Sequence, residues 1–108
     1  MAYFKQSALA VTVCRLFNTV GPRQVGTYGM VVPRFVDWAL AGEPLEIYGS
    51  GEQTRCFCHV ADTVEALVRL LATDAAAGRI VNIGSDDEIS ILALAERVNA
   101  ETGNGGGI

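Results

Sequence analysis

AVTVCRLF, residues 10–17, is the stretch on which the fold turns. It is nearly continuous in apolar and β-branched residues, broken only by Thr12 and Arg15. A strand with one wet face alternates with period two, whereas an unbroken apolar run reads as a strand covered on both faces, as in a parallel sheet. The chain then leaves this strand through Asn18 to Gly29, where Gly21, Pro22, Gly26 and Gly29 mark an irregular loop that lets backbone approach a ligand closely. The class implied is α/β. Asn18 and Thr19 fall just past the carboxyl end of the strand, where ligands collect in open parallel sheets.

Outward from that strand, residues 2–10 are mostly helix-compatible. From Val31, the positions Val32, Phe35, Val36, Ala39 and Leu40 recur at helical spacing, and Gly42 ends the pattern as a carboxyl-terminal cap would. Leu45 to Tyr48 alternates like a short strand, and GSGE (49–52) turns the chain into a second strand, Thr54 to Val60, in a hairpin-like unit. Asp62 reads as the N-cap of a helix with Glu65 three residues on and a buried face of Val64, Leu67, Val68 and Leu71. Arg79 to Ile83 is a brief strand, Ser85 to Glu88 an acidic turn, and Ser90 the cap of a helix carrying Ile91, Leu94, Ala95 and Val98 as far as Gly103. The terminal GNGGGI reads as a frayed end or a cut. With no internal repeat, heptad or linker, residues 1–108 are expected to form a single partial domain.

Half of the residues are hydrophobic, enough for a packed core in composition. Twelve acidic against eight basic residues give a net charge of −4, which argues against non-specific binding to nucleic acid or acidic membrane. No apolar run approaches the roughly 20 residues of a membrane span. Cys14, Cys56 and Cys58 are odd in number and lie in apolar, strand-like surroundings, which points to reduced thiols and a cytoplasmic setting. All the basic residues but Lys5 are arginines, whose planar guanidinium suits bidentate phosphate binding.

Two clusters could carry chemistry. The Asn18 carboxamide both donates and accepts, which suits a sugar hydroxyl or a phosphate oxygen; it suits equally a turn residue that satisfies local backbone. Arg23, after Gly21-Pro22, either serves a phosphate or braces its loop. In PLEIYGSGEQTRCFCHV, residues 44–60, the short strands around a Gly-rich turn bring Tyr48, Gln53 and Arg55 together, with Gln53 and Arg55 on one face. An aromatic for stacking, an amide for hydroxyls and a guanidinium for a diphosphate are what a sugar nucleotide needs. The GSG at 49–51 lacks both a following helix and a Walker lysine, so it reads as a turn rather than a phosphate loop. Cys56, Cys58 and His59 lack a second ligand pair, so no metal site is expected.

Together, RLFNTVGPRQ (15–24) and YGSGEQTRCFCHV (48–60) resemble the carboxyl-terminal, sugar-nucleotide-gripping part of the NAD-dependent epimerase/dehydratase family, the extended short-chain dehydrogenase/reductases. The resemblance covers about residues 2–103 and is nearest to UDP-glucose 4-epimerase-like and UDP-glucuronate decarboxylase-like members. It implies an α/β fold that is a fragment of a Rossmann-like extended short-chain dehydrogenase, lacking the amino-terminal cofactor-binding half. It also implies that Asn18 contacts the sugar nucleotide, that Arg55 binds its diphosphate, and that the Leu45 to Tyr48 strand, through Leu45 and Ile47, lies against the base. Thr19 resembles a position near the nicotinamide of the cofactor. AYFKQ (2–6) lines up with the end of the helix that bears the family's Tyr-x-x-x-Lys pair, which places Tyr3, Gln6 and Ser7 where relatives touch the sugar. Cys56 departs from the pattern, since many relatives carry an acidic residue there.

Tyr3-Phe4-Lys5 is not the catalytic pair, because Tyr and Lys must be four apart to share a helix face. No catalytic residue is therefore expected in this chain. The resemblance implies a parent enzyme that uses NAD to oxidise a nucleoside-diphosphate sugar to a keto intermediate, which is then epimerised, dehydrated or decarboxylated. The isolated chain is expected to bind no NAD and to be inactive alone, with a standalone, non-catalytic sugar-nucleotide-binding or regulatory module as the alternative. Its expected partners are a nucleoside-diphosphate sugar and, through exposed apolar surface, further copies of itself; neither nucleic acid nor membrane is expected.

Overall fold

A computed structural model describes residues 2–7 and 9–108, with residues 2–4 described by their backbone alone. In chain order the elements are α1 (Ala2–Ser7), β1 (Val13–Leu16), β2 (Thr19–Val20), α2 (Val31–Leu40), β3 (Thr54–Cys56), β4 (Cys58–His59), α3 (Val60–Leu71), β5 (Ile80–Ile83), β6 (Glu88–Ser90) and α4 (Ile91–Thr102), with a 3₁₀ turn at Asp74–Ala76. Backbone contacts divide the chain into two compact units, Met1–Gly21 with Cys56–Asp86 and Pro22–Arg55 with Asp87–Ile108.

In the first unit the run at 10–17 does form a parallel strand. β1 pairs with β5 in the register Val13 opposite Ile80 through Leu16 opposite Ile83. The ladder is extended by Val13 N–H donating to the Arg79 carbonyl at 3.0 Å and Phe17 N–H to the Ile83 carbonyl at 2.9 Å. β2 pairs in parallel with β4, Thr19 opposite Cys58 and Val20 opposite His59. The run is not covered on both faces within this chain: Leu16 and Phe17 are about half exposed (50% and 47%), in keeping with the exposed apolar surface expected of it. Between β1 and α3 lies an open, largely apolar groove of about 730 Å³, lined by Val11, Cys14, Leu67, Leu70 and Leu71 among others.

The expected buried face of α3 is corrected. Thr63 is the buried residue of this helix, its hydroxyl donating to Cys58 Sγ at 3.4 Å, while Val64, Val68 and Leu71 are exposed. Val64, Leu67, Val68 and Leu71 do share one face, at spacings of three and four residues, but the described residues leave that face largely uncovered, while Thr63 packs against β4. The helix also begins earlier than expected. His59, not Asp62, is the N-cap, its Nδ1 accepting from Ala61 N–H at 3.2 Å. Asp62 instead lies in the first turn, where a carboxylate complements the positive end of the helix.

The second unit holds the core. Phe35 and Ala39 of α2 meet Ile91 and Ala95 of α4 around Leu45, with Val31, Trp38, Ile47, Leu94 and Val98 packed against them. Leu45 is 1% exposed, and truncating so buried a leucine typically costs about 2–5 kcal/mol. The expected ends of α4 are found: Ser90 Oγ accepts from Ala93 N–H at 3.1 Å, and Gly103 closes the helix in the left-handed conformation at φ 68°.

Two expectations fail here. Residues 45–48 form no strand and no hairpin; β3 pairs instead with β6, which replaces the end of the expected acidic turn. The Gly51 and Gln53 carbonyls accept from Leu92 N–H and Ile91 N–H, each at 3.0 Å, so this segment's backbone serves the start of α4 rather than residues 45–48. Gly51 is at φ 74°, and a Cβ there would lie 3.1 Å from the Leu92 Cβ.

The glycine-rich terminus is not frayed. Asn104 Nδ2 donates to the Glu43 carbonyl at 2.9 Å, Asn99 Nδ2 to the Gly107 carbonyl at 3.0 Å, and Leu45 N–H to the same Gly107 oxygen at 3.1 Å. Gly106 lies so close to Glu43 that an added Cβ would stand 2.7 Å from its carbonyl carbon. Without side chains, these residues reach the backbone closely enough to hydrogen-bond it.

Candidate functional site

A cleft of about 210 Å³ opens in the second unit, lined by Gly29, Val31, Arg34, Phe35, Glu46, Ile47, Tyr48, Gln53, Arg55 and Ile91. Helix α2 supplies Val31, Arg34 and Phe35 from one face, as spacings of three and four residues require. The extended run 46–48 supplies Glu46, Ile47 and Tyr48. The turn through Gly49 and Gly51 then brings Gln53 and Arg55 to the same cavity. Gln53 Nε2 donates to the Tyr48 carbonyl at 3.1 Å, bracing the turn.

Tyr48, Gln53 and Arg55 therefore meet in one cleft, although by a turn and not by the alternation of a hairpin. Ile47 joins them. Leu45 does not: its side chain is committed to the core between α2 and α4, and it is not among the cleft's lining residues.

The charge of the cleft is set by two guanidinium groups and one carboxylate. Arg55 Nη1 donates to the carbonyl of its neighbour Thr54 at 2.7 Å, a single bond from a group with five N–H donors. Arg34 Nη2 donates to the Tyr48 hydroxyl at 2.9 Å, and its guanidinium carbon lies 4.6 Å from the centre of the Trp38 ring and 5.3 Å from that of Tyr48. Among the described residues the ion pair found is Arg69 with Glu65, at i,i+4 on α3, so neither cleft arginine has a carboxylate partner. Two guanidinium groups free of ion pairs among the described residues, an aromatic wall and an apolar floor of Ile47, Phe35 and Ile91 suit a ligand with an anionic end and a flat apolar end.

Arg34 was not singled out by the sequence reading. Its available signal was Trp38 four residues on, a spacing that stacks a guanidinium on an indole along a helix.

Of the remaining candidates, Asn18, Thr19, Gln6 and Tyr3 belong to the first unit and Arg23 to the second. Asn18, at φ 40°, donates from Nδ2 to the Cys56 carbonyl at 2.9 Å, while its own carbonyl accepts from Cys58 N–H at 3.2 Å. The Thr19 hydroxyl lies 3.4 Å from that of Thr63. Gln6 is exposed on α1, and the Tyr3 side chain lies outside the described residues. Arg23 stands at φ 67°, a left-handed conformation uncommon for a residue with a Cβ, and is exposed. Among the described residues no group of three His, Cys, Asp or Glu side chains could hold a metal ion, and no helix is long and apolar enough to cross a membrane.

Parallel strands flanked by helices, with a basic, aromatic-walled cleft, define a mixed α/β protein of Rossmann-like type. The chain belongs to the NAD dependent epimerase/dehydratase family, whose model matches residues 1–84. It is 45% identical over 107 residues to UDP-glucuronic acid decarboxylase 1 of Xenopus tropicalis, covering 99% of this chain and 25% of that protein. The structure of the epimerase Mth375 from Methanothermobacter thermautotrophicus superimposes with a TM-score of 0.94 at 31% identity, over 99% of this chain and 32% of that one. UDP-glucuronic acid 4-epimerase from Bacillus cereus, solved in complex with UDP-glucuronic acid and NAD, gives a TM-score of 0.84 at 31% identity, over 94% of this chain and 32% of that one. This chain thus spans between a quarter and a third of the length of these relatives.

Proposed function

We propose that this chain carries the nucleotide-sugar-gripping portion of an NAD-dependent epimerase, dehydratase or decarboxylase acting on a nucleoside-diphosphate sugar. In this reading the Arg55 guanidinium receives the diphosphate, the Tyr48 ring and Ile47 receive the base, and Gln53 offers its amide oxygen to a hydroxyl. Leu45 supports the base-binding segment from the core. Asn18 and Gln6 serve the sugar, Tyr3 is assigned beside them from the family pattern, and Thr19 stands on the cofactor side. The observation that carries the reading is the convergence of Tyr48, Gln53 and Arg55 on one cleft whose cations lack carboxylate partners.

When bound, NAD supplies a hydride acceptor for the sugar in such an enzyme. The residues present do not make a dinucleotide site by themselves: the sequence holds no G-x-G-x-x-G, and Thr19 is the one residue assigned to the cofactor side. No Tyr-x-x-x-Lys occurs either, so no group here is assigned to move the sugar's proton. We assign this chain ligand binding without turnover.

Backbone amide chemical shifts recorded while UDP is added test the placement. Perturbations centred on residues 34, 46–48 and 53–55 are expected; perturbations that leave those residues unmoved would refute it.

A further inference from the structure

Arg34 is held in a way that neither an ion pair nor core packing explains. Its guanidinium lies against two aromatic rings and donates to a neutral phenol, with no carboxylate partner among the described residues. Both Arg34 and Tyr48 line the cleft.

The consequence falls on Tyr48. Its ring is 68% exposed and stands on a segment without strand pairing, just before the turn at Gly49. An exposed phenol in such a place samples several rotamers, and a ligand that stacks on it must order it first. The bond from Arg34 to the Tyr48 hydroxyl, with the guanidinium against the ring, orders it beforehand. Trp38, one helical turn from Arg34, also holds the guanidinium, whose carbon lies 4.6 Å from its ring centre.

We infer that Arg34 is a positioning residue for the nucleobase: it acts through Tyr48, fixing the ring as a wall on which the planar base of a nucleoside diphosphate stacks, while Arg55 takes the charge of the diphosphate. The inference rests on the reading of this cleft as a nucleotide site. The two arginines are unlike in their commitments. Arg34 spends a donor on Tyr48 and lies against the rings of Tyr48 and Trp38, whereas Arg55 spends one donor on the carbonyl next to it.

A double-mutant cycle read by UDP titration tests it. R34A is expected to weaken UDP binding about three- to fivefold, the size of an exposed cation–π contact with its hydrogen bond, and to have no further effect in a Y48A background. Y48F keeps the ring and removes only the hydroxyl; it is expected to weaken UDP about twofold in the presence of Arg34 and not at all in its absence. An R34A effect that persists in full beside Y48A would make Arg34 a direct ligand of the phosphates and overturn the inference, as would R34A binding UDP as the unaltered chain does. UDP binding that is lost in R55A but untouched by R34A overturns this inference alone. No UDP binding by the unaltered chain overturns the cleft reading itself.

Discussion

The Asn18 carboxamide nitrogen donates to the Cys56 carbonyl oxygen at 2.9 Å, tying the end of β1 to the strand residues that precede α3. Asn18 also sits at φ 40°, a conformation that asparagine tolerates better than most residues. N18A loses both the bond and that tolerance and is expected to cost about 1–2 kcal/mol in urea unfolding. N18G, which regains the conformation but not the bond, should cost less. Equal losses in the two variants would remove backbone conformation from the explanation.

Gly106 approaches the Glu43 backbone more closely than any Cβ allows. G106A is therefore expected to lift the terminal segment from residues 42–45 and release the bonds made through Asn104 and Gly107. The measurement is hydrogen exchange at Leu45 N–H, which should lose protection in G106A while amides in the middle of α3 keep theirs. Unchanged protection at Leu45 would contradict the docked terminus.

These two sites also show where local pattern informs and where it does not. The parallel strand at 13–16 and the caps at Ser90 and Gly103 were legible because continuous apolarity, a capping hydroxyl and a left-handed glycine act within a few residues. Tyr48, Gln53 and Arg55 were legible as a set because a short Gly-rich turn keeps them together whatever the exact backbone. The β3–β6 pairing was not, since it joins segments more than thirty residues apart and depends on which partner captures the backbone. Nor was the terminus, where glycine composition suggests disorder until a complementary backbone is known. Arg34 escaped because its partner Tyr48 is fourteen residues away, beyond any helical spacing.

Apolar surface in the first unit bears on the state of the chain in solution. Leu71 is 89% exposed, Val68 and Val64 stand one and two turns before it on α3, and β1 is paired with β5 alone among the described residues. Such surface and an open strand edge favour association. Light scattering across a dilution series is expected to show mass rising with concentration, and V64E/V68E is expected to lower it. A monomer at every concentration would contradict this.

Catalysis is a separate matter from binding. With no Tyr-x-x-x-Lys and no dinucleotide loop in the sequence, the chain is expected to give no turnover when incubated with NAD and UDP-glucose or UDP-glucuronic acid. Product above the no-protein control, absent from an R55A preparation, would contradict the assignment of binding without chemistry.

Whether Arg55 and its cleft grip a nucleoside diphosphate is read by equilibrium titration of UDP in a calorimeter. Saturable one-site binding is expected, weakening at least tenfold in R55A, the loss expected for a charge-assisted contact to a diphosphate, and weakening as salt is raised. Absence of UDP binding, or binding that R55A leaves unchanged, would contradict it.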